Sequence, residues 1–227
     1  MLGIIGAMKI ETDRLVSGLS DKKSVMAVGR EFVLGKLGGK PVVVCQCGIG
    51  KVSSAVVATV MSLDFGVTTI INIGVAGGVG PTVRQGDIVI ATKVAHHDYD
   101  LVAFGNKPGQ VDGFGDVFFE CCPDITDRMT ANAAASKLPY HVGNIVSGDQ
   151  FVSDTEYANM LSKSFGAIAV DMESAAIGHA CKMLGIKFGI MRAISDEGDD
   201  TAVHDYDKFL TEAAERSYAM ISSLLKE

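Results

Sequence analysis

Short runs of valine and isoleucine recur along this chain, each separated from the next by a stretch whose apolar residues repeat at helical spacing. Residues 42–45 (Val-Val-Val-Cys), 69–73, 87–91, 142–146, 167–170 and 188–192 are such runs, and Gly3-Ile4-Ile5-Gly6 precedes them all. Apolar runs of this length bounded by glycine or polar turns fit strands buried on both faces, which occur in sheets covered by helices. Helical patterns fill residues 51–63, 125–137, 155–163, 173–184 and 207–226. Strands alternating with helices imply parallel pairing through crossover connections. The expected fold is therefore α/β, with three layers in the order α/β/α around a central twisted sheet. Two segments make that sheet mixed. Residues 31–37 lead through Gly38-Gly39-Lys40 into the next strand as a hairpin, and residues 86–104 read as one long strand running past the sheet. No linker, repeat or charge block interrupts the chain, so one domain is expected over residues 1–227. The loop 105–115 and the segment after Asp196 are the expected mobile parts.

Charge and cysteine usage narrow the partners. The chain carries a formal net charge of −7 and a pI near 5.2, which argues against nucleic acid or an anionic membrane surface. Cys45 and Cys47 lie one residue apart, Cys121 and Cys122 are adjacent and Cys181 stands alone, so none has metal-ligand spacing. Reduced thiols of a cytosolic protein are the plain reading. The first residues are apolar but lack the basic start and cleavage site of a signal peptide. No apolar stretch approaches the roughly 18 residues that a membrane helix needs. A cytoplasmic protein is expected.

Ligands of α/β sheets collect at the carboxyl ends of strands, and four polar clusters fall there. Glu11 follows Gly6-Ala7-Met8-Lys9-Ile10, close to a helix start, where a negative charge is favoured by about 0.3–1 kcal/mol whether or not it has chemistry to do. Phe151 follows Ser147-Gly148-Asp149-Gln150, placed either to stack on a flat base or to fill the core behind a turn. Asp171 and Glu173 flank Met172 at the end of an apolar run. Two carboxylates there are costly unless hydrogen-bonded or needed, and one structural and one pocket-facing acid is the expectation. Asp196 closes Arg192-Ala193-Ile194-Ser195, and alone it reads better as a solvated loop acid than as a site residue. Gly48-Ile49-Gly50-Lys51-Val52-Ser53 lacks the third glycine and partner acid of a dinucleotide fingerprint, so it reads as a tight strand-to-helix turn. His96-His97-Asp98 reads poorly as a metal site, because strand neighbours point to opposite faces.

In series, these clusters resemble the 5′-methylthioadenosine/S-adenosylhomocysteine nucleosidases of the nucleoside phosphorylase superfamily. The motifs keep their order: Gly3 to Met8 with Glu11; Gly48 to Val52; Ala76-Gly77-Gly78; His97-Asp98 with Asp100, Ala103 and Phe104; Ser147-Gly148-Asp149 with Phe151; Met172-Glu173; and Arg192 to Asp196. The resemblance implies hydrolysis of the adenine–ribose bond of these nucleosides through an oxocarbenium-like transition state, in methionine salvage and recycling of S-adenosylmethionine by-products. It implies no cofactor and no metal. By the same resemblance Asp196, beside Ser195, protonates adenine at N7, Glu11 readies the attacking water with Arg192 nearby, and Glu173 accepts ribose hydroxyls. Asp196 must then hold a proton near neutral pH, with Glu197, Asp199 and Asp200 as sources of nearby negative charge. Met172 packs on the ribose, Phe151 stacks on adenine, and the Val152 backbone reads the base edge. Met8, Ile49 and Tyr206 wall the 5′ substituent. Leu101 and Phe104 match positions that close a neighbouring subunit's pocket, which implies a homodimer.

The sequence departs from the family pattern at three positions. Val75 stands where many relatives have serine, Asp171 replaces a glutamate, and Tyr206 replaces a common phenylalanine. These changes bear on substrate preference among methylthioadenosine, S-adenosylhomocysteine, 5′-deoxyadenosine and aminodeoxyfutalosine, which share adenine and ribose. Two rival readings make different demands. A phosphorylase on the same fold needs arginines for phosphate, yet Ala7 to Glu11 follow Gly6, and Asn72 precedes Ile73-Gly74. A non-catalytic nucleoside binder predicts an eroded acid set, whereas Glu11, Glu173 and Asp196 are all present.

Overall fold

A computed structural model of the chain describes residues 1–199 and 202–224. Among these residues one sheet of eleven strands is covered by six α-helices. The expected parallel core is present. Strand β1 (Leu2–Gly6) pairs in parallel with β4 (Lys40–Gln46) on one side and β5 (Thr69–Asn72) on the other. β5 in turn runs parallel to β11 (Lys187–Asp196). The hairpin also forms, since β3 (Arg30–Leu37) pairs antiparallel with β4 from Phe32↔Cys45 to Leu37↔Lys40.

Strand alternation sends successive side chains into two different cores. Ile5, Val43, Cys45, Ile70 and Val89 join one cluster with α2 (Lys51–Phe65) and α5 (Ser174–Leu184). Ile4, Val42, Val44, Ile71 and Ile88 join the other, against α1 (Lys9–Gly18), α3 (Pro123–Ser136) and α6 (Ala202–Leu224). Both faces of the central strands are therefore dry, which explains their lack of polar positions. The three layers expected from the sequence are the result.

The second half of the sheet does more than continue the layer. β11 leaves β5 and then pairs with β6 (Val75–Gly78) on one side and, over Met191–Ala193, antiparallel with β7 (Ile88–His96) on the other. β6 pairs with β10 (Ala167–Asp171), β10 with β9 (Tyr140–Ser147), and β9 with β7. The circuit β11-β6-β10-β9-β7 returns to β11 and closes. A third apolar cluster, with α4 (Thr155–Phe165), packs on β9 and β10.

Some boundaries differ from expectation. The long strand expected over residues 86–104 ends at His96, and a 3-10 turn occupies Val102–Phe104. Asp100 breaks the strand by accepting the Val102 N–H at 2.8 Å, a local turn that competes with sheet pairing. The last helix starts at Ala202, five residues before its expected start, while the expected end at residue 226 lies outside the described residues. Three strands escaped the reading altogether. β2 (Ser20–Ala27) is an almost wholly exposed edge strand, and β6 is only Val-Ala-Gly-Gly. The third, β8 (Phe119–Glu120), is only two residues long and pairs antiparallel with β7 at the edge.

Candidate active site

β1, β10 and β11 end at one rim, where β6 runs past the end of β10 in the opposite direction and the loop after β9 joins them. Around that rim lies a cavity of about 260 Å³. Its wall includes Met8, Glu11, Ile49, Val75, Phe151, Val152, Met172, Glu173, Ser195, Asp196 and Tyr206. Of the site residues read from sequence, Arg192, Leu101 and Phe104 are not on this wall.

Glu11 sits in the first turn of α1, and 3% of its surface is exposed. One carboxylate oxygen accepts the Met8 N–H at 2.9 Å and the other the Val75 N–H at 3.1 Å. The helix-start reading is thus correct as far as it goes, and the same carboxylate faces the cavity. Burial raises its pKa, opposed by the Arg192 charge and the N–H donors of Met8 and Val75. Gly74, at φ 150°, lets the backbone press against this carboxylate: a Cβ there would lie 2.5 Å from Oε1.

Glu173 is the N-cap of α5, and its Oε1 accepts the Gly50 N–H at 2.8 Å. Burial, then the neighbouring Asp171 charge, pushes its carboxyl up to about 7, with Arg192 and the Gly50 N–H pulling the other way. Asp196 ends β11, accepting the Ser195 hydroxyl at 2.7 Å and the Gly198 N–H at 3.0 Å. Burial raises its pKa against those two bonds, and the charges of Asp199 and Asp205 add to the rise. Asp199 was expected in that role and Asp205 was not. Glu197 is not among the causes, and Asp200 lies outside the described residues. Gly77 makes room for this acid, since a Cβ there would lie 2.9 Å from Asp196 Oδ1.

Asp171 and Glu173 do not divide as cleanly as expected: both line the cavity, but Asp171 is also tied into the structure behind it. Asp171 accepts Arg192 Nε at 2.7 Å, the Ser147 hydroxyl at 2.5 Å and the N–H groups of Glu173 and Ser174. Arg192 is 1% exposed and committed to Asp171, Asn72 and Ser174. It stands behind the cavity and acts on Glu11 and Glu173 through its charge, not as wall. A buried ion pair this fully hydrogen-bonded tolerates loss of neither partner. Asn72, which sequence reasoning did not single out, accepts Arg192 Nη2 and donates to the Ile5 carbonyl at 2.9 Å, tying β5 to β1 just before the Glu11 turn. A buried asparagine ending an apolar strand was the available signal.

At the mouth, the Phe151 ring stands edge-on to Tyr206, 5.5 Å between centroids at 81°, and the Tyr206 hydroxyl donates to Met8 Sδ at 3.0 Å. Phe151 is 42% exposed, so it is not core filler. Phe104 is 82% exposed on the turn after β7.

A three-layer fold with a carboxylate-lined cavity at the strand ends defines the class as that of nucleoside-cleaving enzymes, and the phosphorylase superfamily profile matches residues 1–226. The 5′-methylthioadenosine/S-adenosylhomocysteine nucleosidase of Actinobacillus succinogenes is 39% identical over 235 aligned residues, covering 100% of this chain and 98% of the relative. The crystal structure of the Neisseria meningitidis nucleosidase of the same name, in complex with methylthio-immucillin-A, has a TM-score of 0.96 at 36% identity, covering 99% of this chain and 98% of that one. A futalosine hydrolase mutant of Helicobacter pylori has a TM-score of 0.95 at 31% identity, covering 99% and 97%. The chain belongs to the 5′-methylthioadenosine/S-adenosylhomocysteine nucleosidase family of the phosphorylase superfamily.

Proposed function

We propose that this chain hydrolyses the N-glycosidic bond of 5′-methylthioadenosine and S-adenosylhomocysteine, releasing adenine and the 5′-substituted ribose. The role is methionine salvage and S-adenosylmethionine by-product recycling, carried out by a single-domain cytoplasmic homodimer. The observation that carries the reading is one cavity bringing Glu11, Glu173 and Asp196 together beneath Phe151.

The chemistry follows from the environments of the three acids. The C1′–N9 bond breaks and its electron pair goes to adenine, which leaves more readily if N7 is protonated. Asp196 gives that proton, because burial and two acidic neighbours keep it protonated further up the pH scale than a free carboxyl. A water attacks C1′ and loses a proton to Glu11, whose basic form is supported by the Arg192 charge and two N–H donors. Glu173 accepts ribose hydroxyls, and its negative charge is favoured as the sugar becomes cationic. Met172 lies against the ribose, Phe151 stacks on the base, the Val152 backbone meets its edge, and Met8, Ile49 and Tyr206 bound the 5′ group.

Hydrolysis is favoured over phosphorolysis by the charge of the site. Among the described residues the cavity wall carries acids and no arginine or lysine, and Glu11 would repel a phosphate dianion. The homodimer reading is supported by an apolar stripe on α2, where Val52, Val56 and Leu63 are 75%, 41% and 69% exposed. Phe104 adds a further exposed apolar residue.

Adenine release from the four candidate nucleosides, with and without phosphate, tests the reading. Cleavage without phosphate is expected, and Asp196→Asn should reduce it by at least about 100-fold in a folded protein. A phosphate requirement would transfer the chain to the phosphorylases, and near-normal turnover by Asp196→Asn would remove its assigned role.

A further inference from the structure

Three charged residues remain without a task in this mechanism: Lys51 of Gly48-Ile49-Gly50-Lys51, Asp98 of His97-Asp98 and Asp149 of Ser147-Gly148-Asp149. The fold brings them together. Lys51 Nζ meets Asp98 Oδ1 at 2.6 Å, Asp98 Oδ2 accepts the Asp149 N–H at 3.0 Å, and Asp149 Oδ1 accepts the Lys51 N–H at 2.8 Å. These contacts form a closed ring across the carboxyl ends of β4, β7 and β9. We propose that Lys51, Asp98 and Asp149 form a positioning clasp that holds the Gly50 N–H on Glu173 and the Phe151 segment over the cavity. The inference rests on the nucleosidase reading, and none of the three residues touches the substrate.

The geometry gives each contact a target. Gly50, at φ 101°, is the N-cap of α2 and has no side chain to satisfy the free N–H groups of that helix start. Carboxylates from two other elements do so, Glu173 on the Gly50 N–H and Asp149 on the Lys51 N–H. Glu173 is thereby held by a donor whose position Asp149 fixes one residue later. Asp149 is also two residues before Phe151, so the ring sets where the aromatic segment leaves β9. Lys51 and Asp98 side chains are only 21% and 27% exposed. Burial raises the Asp98 pKa, but Lys51 and the Asp149 N–H outweigh it and hold the carboxyl below the usual range.

A partly exposed ion pair contributes about 0–1 kcal/mol to stability. The clasp should therefore be felt in binding and ionisation much more than in unfolding. In the variant Lys51→Met, KM for 5′-methylthioadenosine should rise about five- to tenfold, a change of about 0.9–1.4 kcal/mol. kcat should stay within about twofold and Tm within about 3 °C. A looser hold on the Gly50 N–H also weakens the charged form of Glu173, so the acid limb of the kcat/KM profile should move to higher pH. That limb is set as well by the other groups facing Glu173: Asp171 on β10, Arg192 on β11, Glu11 on α1 and the Cys47 thiol after β4. None of these is altered in the variants.

Lys51→Arg should restore KM and the limb, and Asp98→Asn should reproduce the Lys51→Met defect in part. Asparagine keeps an acceptor for the Asp149 N–H but removes the charge facing Lys51. If Lys51→Met does not fold, Asp98→Asn carries the test. Folded variants with wild-type KM and an unmoved acid limb would overturn the clasp, and so would unfolding of both, since the ring would then be a stability element. If the wild-type protein releases no adenine at all, the nucleosidase reading fails first. If it is active and the variants match it, only the clasp fails.

Discussion

At Glu173 burial and the Asp171 charge favour the neutral acid, while the Gly50 N–H and Arg192 favour the anion, and the balance lies at about 7. The protonated form is therefore well populated at neutral pH, and in the proposed reaction the anion would gain as the sugar becomes cationic. The same shift has a thermodynamic signature. A carboxyl with a folded pKa above its unfolded value of 4.5 binds more protons in the folded state. Its stabilisation is complete below that unfolded value and is lost as pH rises through about 7. Glu173→Gln cannot ionise, so relative to wild type it should gain stability between pH 5 and pH 8, by on the order of 1–3 kcal/mol. Thermal unfolding at pH 5, 6.5 and 8 measures this, and melting curves that stay parallel for the two proteins would refute the assignment.

Turns between elements set the reach of the acids as much as the strands do. Gly74 links β5 to β6, and its α-carbon lies against the Glu11 carboxylate because no Cβ intervenes. Gly74→Ala should cost roughly 1–3 kcal/mol of stability through backbone strain. It should also push Glu11 out of line and lower kcat by about 100-fold, the scale expected for a misplacement near 1 Å. Kinetics of the folded variant decide it, and an unchanged kcat would show that Glu11 tolerates displacement. The sequence displayed the elements buried on both faces, because most positions of such a strand must be apolar. β2 was invisible for the converse reason, since an exposed edge strand of Ser, Asp and Lys has no apolar face. β6 offers only Val-Ala-Gly-Gly, whose small residues make room for Asp196 and carry no pattern. Glu11, Glu173 and Asp196 stood out as acids at the ends of apolar runs. Arg192 could not be placed in the same way: β11 is buried from Phe188 to Asp196, and alternation alone does not separate a cavity wall from the layer behind it.

For the molecule as a whole, the apolar stripe of Val52, Val56 and Leu63 on α2 calls for a cover that a single chain does not supply. Val52→Glu places a charge on its most exposed residue. Sedimentation velocity should find a dimer for the wild type and a monomer for the variant, and a monomeric wild type at micromolar concentration would dismiss the pairing. The circuit β11-β6-β10-β9-β7 has a different consequence. Neighbouring staves of a hoop cannot part at one seam without disturbing all the others, so the gap between Asp196 at the end of β11 and Glu173 after β10 is set by the girth of the hoop. Relatives that accept bulkier or smaller nucleosides must therefore diverge in the fringe above the staves, while the staves themselves keep their spacing.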